Sequence, residues 1–133
     1  MILLDTHVLI WLDVGSQQIG RQTRARMDAA LVRGELAVSA ITFWEIAMLL
    51  EKGRLEMAMD IDSWRRELLE SGLIEIPLDG SIGIRAARLQ DFHGDPADRI
   101  IVATALELSA ALVSADEKIL SWRTLSKKID PRK

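Results

Sequence analysis

Short apolar runs alternate along the chain with longer segments whose apolar residues recur every three or four positions. The runs are Ile2-Leu3-Leu4, Leu36-Ala37-Val38-Ser39, Leu73-Ile74-Glu75-Ile76-Pro77 and Ala111-Leu112-Val113-Ser114-Ala115-Asp116. Continuous apolar runs bounded by turn residues read as strands buried on both faces. The segments between them predict helices over 6–12, 17–33, 41–52, 60–71, 80–89 and from 95 to about 109. A last helix is expected at 116–122 and an edge strand at 127–129. Ser16 is the expected N-cap of the second helix, and Asp60 or Asp62 that of the fourth. Gly34, Gly53 and Gly72 stand where helices should stop. Strands alternating with helices predict an α/β fold, a central parallel sheet with helices on both faces, in a single domain over 1–133. No repeat or linker divides the chain, and Met57-Ala58-Met59 is the expected mobile connection.

Composition changes this picture mainly by exclusion. With 133 residues, 49% hydrophobic and 28% charged, the chain is long and apolar enough for a real core. The lack of cysteine excludes disulfides and thiolate metal sites and suits a reducing cytoplasm. Two histidines, His7 and His93, are too few for a histidine-based zinc site and read as structural or surface residues. Asp5 and His7 interrupt the apolar start, so no export signal is expected. The apolar stretches fall short of the ~20 residues of a membrane helix.

The candidate chemistry is acidic. Asp5 and Asp116 each end an apolar run, so in one parallel sheet both emerge at the carboxyl edge, where open α/β sheets bind ligands. Glu45 is the only charge in Ile41-Thr42-Phe43-Trp44-Glu45-Ile46-Ala47-Met48-Leu49-Leu50. A carboxylate on so apolar a helix needs a partner, either Lys52 on the same side or a metal. In Asp95-Pro96-Ala97-Asp98, Asp95 is placed to cap, Pro96 to sit at N1 and Asp98 at N3. Helix capping alone accounts for Asp5 and Asp116, and the helix dipole alone for Asp98. Jointly, four acids able to converge on one sheet edge repel one another unless a cation intervenes. Oxygen ligands without thiolates suit Mg²⁺ or Mn²⁺, and phosphodiester hydrolysis is the natural reaction. The net charge of −3 is unusual for a nucleic-acid enzyme, yet setting aside these four acids turns it into +1.

Four blocks then carry a family resemblance. Leu3-Leu4-Asp5-Thr6, Ser39 through Trp44-Glu45-Ile46-Ala47, His93 through Ala105 with its Asp-Pro-Ala-Asp-Arg core, and Leu112-Val113-Ser114-Ala115-Asp116 resemble PIN-domain ribonucleases. They are most similar to the VapC toxins of bacterial toxin–antitoxin pairs. The resemblance spans nearly the whole chain. It implies a three-layer α/β/α sandwich and a metal site of Asp5, Glu45, Asp98 and Asp116, with Thr6 and Ser114 as supporting hydroxyls. It also implies a Mg²⁺- or Mn²⁺-dependent endoribonuclease acting as a cytoplasmic toxin. RNA is then the substrate, a cognate VapB antitoxin the partner, and a homodimer the expected state. A catalytically silent RNA- or protein-binding module and a metal-dependent DNA nuclease are the competing readings. Arg99 reads as an RNA phosphate contact or as half of an ion pair. Trp11, Phe43, Trp44, Met48 and Trp64 read as core or as the lining of a partner groove.

Overall fold

A computed structural model describes residues 1–133. In chain order the elements are β1 (Ile2–Leu4), α1 (Thr6–Asp13), α2 (Arg21–Val32), β2 (Leu36–Ser39), α3 (Ala40–Glu51) and α4 (Ile61–Glu70). There follow β3 (Ile74–Ile76), α5 (Gly80–Ala87), α6 (Pro96–Leu108), β4 (Ala111–Val113), α7 (Glu117–Leu120) and β5 (Lys128–Ile129). The five strands form one sheet in the order β3-β2-β1-β4-β5, and every pairing is parallel.

The register explains the layers. Leu3 pairs with Ala37 and Leu112, whereas the next row pairs Leu4 with Val38 and Val113. Successive side chains on a strand point to opposite faces. The Leu3 row accordingly packs under α6 and α7, with Ile101, Val102, Ala105 and Ile119. The Leu4 row packs under α1 to α4, with Val8, Met27, Ile46 and Trp64. Helices therefore cover both faces of the sheet, giving the three-layer α/β/α sandwich. None of them is long and apolar enough to cross a membrane.

Local chemistry sets most boundaries. Asp60 is the cap of α4, accepting from the Ser63 N–H, and Asp79 caps α5 through the Ile82 N–H. The main departure from expectation is α2. It starts at Arg21 with Gly20 as N-cap, not at Gln17 after Ser16. The Ser16 hydroxyl instead accepts from the Gln18 N–H, closing a turn, while Ile19 is buried. The Gly20 N–H donates to the Pro131 carbonyl at 2.7 Å, and a Cβ at position 20 would collide with the Lys133 backbone. A tertiary contact thus takes over backbone that local periodicity assigns to a helix. The Met57-Ala58-Met59 connection lays both methionines against the larger core cluster.

Candidate active site

Because the strands are parallel, the residues that follow them emerge together. Leu4 is level with Val113, so Asp5 and Ser114 are neighbours at the carboxyl edge, and Ser39 ends β2 at the same edge. The Ser114 hydroxyl donates to Asp5 Oδ2 at 2.6 Å and accepts from the Asp116 N–H at 3.1 Å. One hydroxyl therefore ties the end of β1 to the turn after β4. Asp5 caps α1 through the Thr6 N–H, and Asp116 caps α7 through the Lys118 N–H. Each cap uses Oδ1; no protein group hydrogen-bonds Asp116 Oδ2.

Glu45 reaches this edge from α3. Ser39 caps that helix, and Thr42 and Glu45 fall three residues apart on one face of it. The Thr6 hydroxyl, at the first position of α1, donates to Glu45 Oε1 and sits 3.0 Å from the Thr42 hydroxyl. Since the single hydroxyl proton of Thr6 goes to the carboxylate, Thr42 donates to Thr6. Lys52 is not the partner of Glu45: no ion pair joins them, and Thr6 holds the carboxylate instead. Burial raises the pKa of Glu45, the Thr6 bond opposes that rise, and the charges of Asp5 and Asp95 add to it.

Asp98 arrives from α6, which runs from the carboxyl edge back across the sheet. Asp95 caps it, accepting from the Asp98 N–H at 3.0 Å, and Pro96 occupies the first turn. Asp98 itself is free of capping duty. Burial first, then the charges of Asp5, Asp95, Asp116 and Glu45, push its carboxyl up to about 7. The structure thus brings Asp5, Glu45, Asp98 and Asp116 into one cluster. None of the four forms an ion pair with a lysine or arginine; the acids that do are Glu35, Glu75, Glu107, Glu117 and Asp130.

Both histidines also belong to this edge. His7 Nε2 accepts from the Ala115 N–H, so its proton is on Nδ1, 3.6 Å from Asp5 Oδ2. His93 Nδ1 accepts from the Asp95 N–H at 3.3 Å, so its proton is on Nε2. That buried Nε2 lies 3.3 Å from Asp98 Oδ2 without a formed hydrogen bond. His93, Asp98 and Asp116 are close enough to share a cation by distance alone. The tautomer argues against His93 as a ligand, because Nε2 carries the proton and Nδ1 is engaged. The sequence reads His93 as a structural or surface residue; the local signal for its place at this edge is its position two residues before the Asp95 cap.

Arg99 is not half of an ion pair, and its guanidinium is committed within the fold. Its guanidinium donates to the carbonyls of Ala86, Ala87, Leu89, Phe92 and His93. It fastens the end of α5 and the following loop to α6 and carries no ion pair. The tryptophans divide: Trp64 is buried against Phe43, Trp11 stacks edge-on to His7, and Trp44 is 53% exposed.

Fold and site together define a class: an all-parallel α/β sandwich with a carboxylate cluster at the carboxyl edge of its sheet. The family model described as PIN domain matches residues 2–123. The chain is 36% identical over 123 residues to Ribonuclease VapC22 of Mycobacterium tuberculosis, covering 92% of each chain. It belongs to the PIN-domain family, as a VapC-type member. Its backbone is similar to that of a chain in a toxin–antitoxin complex from Klebsiella pneumoniae, with TM-score 0.66, 23% identity and 98% of each chain covered. It is also similar to a chain of FitAcB from Neisseria gonorrhoeae, with TM-score 0.63, 20% identity and 98% of each chain covered.

Proposed function

We propose that this chain is the toxin of a toxin–antitoxin pair and a divalent-metal-dependent endoribonuclease. The observation that carries the reading is the uncompensated cluster of Asp5, Glu45, Asp98 and Asp116, with Asp98 pushed up to about 7. Four carboxyls hold one another at a cost unless a cation joins them. The donors are carboxylate oxygens, which suit Mg²⁺ or Mn²⁺, and no thiolate competes. The name of the VapC22 relative, a ribonuclease, supports RNA as the substrate.

Asp5, Glu45, Asp98 and Asp116 would hold the cation. When bound, it neutralises charge on the phosphate and lowers the pKa of a water. The chain's own groups supply order. Ser114 fixes Asp5 relative to Asp116, and Thr6 fixes Glu45. Glu45 Oε2 makes no protein hydrogen bond and would take a proton from the attacking water. Hydrolysis breaks one P–O bond, and the water oxygen takes its place on phosphorus.

The partner we propose is a VapB-type antitoxin, a reading supported by the toxin–antitoxin complex among the structural relatives. A cavity of about 330 Å³ lined by Ile10, Leu55, Met57, Met59 and Trp64 suits an apolar segment of it. A basic antitoxin residue reaching the carboxylates would replace the cation. Exposed Leu78 and Ile84 support a homodimer. The proposed setting is the cytoplasm, where RNA and a reducing milieu coincide. Purified chain incubated with RNA and with DNA, with Mg²⁺ or Mn²⁺, and with or without co-expressed antitoxin, tests this. RNA cleavage blocked by the antitoxin is expected; cleavage of DNA alone, or none, contradicts the reading.

A further inference from the structure

We propose that the cleft beside the carboxylates is the subsite for one unpaired base and its adjoining phosphate in a single-stranded RNA. This rests on the ribonuclease reading and says how the strand approaches the acids. The cleft encloses about 210 Å³ and is lined by Trp44, Met48, Lys52 and Arg54 on one side and by the acids Glu45 and Asp95 toward the cluster, among others. That is below the size of a drug-like pocket, so it suits one planar ring system.

The sequence builds the cleft from one helix stripe. Trp44 and Met48 on α3 and Lys52 at its C-cap are spaced four apart, so they lie along one side. Gly53 follows at φ 68°, a left-handed turn that glycine adopts freely. The Arg54 N–H then donates back to the Leu49 carbonyl at 2.9 Å, which holds Arg54 next to Lys52. Glu45 is a wall of this cleft and a member of the acid cluster, so the two sites are continuous.

Charge and exposure choose the occupant. Trp44 is the one tryptophan the fold leaves mainly in solvent. Lys52 and Arg54 are exposed and enter no ion pair; Arg33, Arg65, Arg85 and Arg132 supply those. An exposed indole beside two uncommitted cations matches single-stranded nucleic acid, in which bases stack on aromatics and phosphates meet Lys and Arg. A phosphate on Lys52 and Arg54 and a base on Trp44 leave the next phosphate to turn toward Asp98 and Glu45. An antitoxin segment, the competing occupant, would meet the same two cations with an acidic stretch.

The test uses short fluorescent single-stranded RNA of mixed sequence, with Ca²⁺ in place of the catalytic ion, read by anisotropy. Trp44→Ala should weaken RNA binding by about 30-fold, the middle of the range for losing one base–aromatic stack. Trp44→Phe should restore most of the affinity. Lys52→Ala and Arg54→Ala should each lower the slope of log K against log salt by about 0.7. RNA carrying 5-bromouridine should photocrosslink to the peptide containing Trp44. The subsite is overturned if Trp44→Ala binds RNA like wild type, or if it loses co-expressed antitoxin instead of RNA. If the wild-type chain with Mg²⁺ or Mn²⁺ cleaves no RNA, the ribonuclease reading fails and the subsite with it. Intact cleavage with an unchanged Trp44→Ala removes the subsite alone.

Discussion

Asp95 Oδ1 takes the Asp98 N–H, which leaves the Asp98 carboxyl with no structural hydrogen bond and the charges of four other acids around it. The two residues should therefore respond differently to loss of charge. Asn caps a helix about as well as Asp, so Asp95→Asn should change stability by no more than roughly 0.5 kcal/mol and keep most activity. Asp98→Asn should abolish activity. Its folded-state pKa of about 7 lies above the ordinary 3.8, so the folded chain holds that proton more tightly than the unfolded chain does. In EDTA this contribution is present below the unfolded pKa and is lost as pH rises through about 7. Melting curves of wild type in EDTA should fall in that window relative to Asp98→Asn. With excess Mn²⁺ wild type should gain stability, more at pH 8 than at pH 6, and the variant should gain far less. Equal pH profiles for the two proteins would contradict the assignment. For His93, ¹⁵N spectra should show the Nε2–H tautomer both in EDTA and with Mg²⁺. An Nδ1–H tautomer appearing with Mg²⁺ would instead make His93 a ligand.

At the scale of elements, Arg99 is the fastening of the loop that carries His93. Hydrogen bonds to a charged group are worth ~1.5–3 kcal/mol each, and here several share one guanidinium. Arg99→Met should cost at least ~2 kcal/mol in thermal or denaturant unfolding and loosen residues 88–95 in hydrogen exchange. A variant as stable as wild type would deny that role. Arg99 also shows where sequence reading stops. An arginine after an acid suggests charge partners, yet carbonyls from the end of α5 and its loop take every bond it makes, and no periodicity predicts those. Similarly, local periodicity does not set the start of α2, because Gly20 meets Pro131 and Lys133, more than a hundred residues away. By contrast, the strands and the Asp60 and Asp95 caps were legible, because short apolar runs and Asx side chains act locally. The convergence of Asp5, Glu45, Asp98 and Asp116 was legible too, since parallel strands deliver their ends to one edge. The Thr6–Glu45 bond was not, since it joins two helices through a rotamer.

For the whole molecule, the acids dominate the charge: the chain carries −3 in total, and +1 without the four clustered carboxylates. A divalent cation, or a basic residue of a partner, would remove the main electrostatic obstacle to an RNA backbone at this edge. The cleft of Trp44, Lys52 and Arg54 would then receive the strand on one side, while the apolar cavity at Trp64 would take the proposed protein partner. If the carboxylate cluster works through a bound cation, activity must follow the metal. This is tested most directly by following RNA cleavage by the purified chain during stepwise removal and return of Mn²⁺, beside Asp98→Asn. Activity should vanish in EDTA, return with Mn²⁺ or Mg²⁺, and stay absent in the variant at every metal concentration. Undiminished cleavage in EDTA, or by Asp98→Asn, would contradict it.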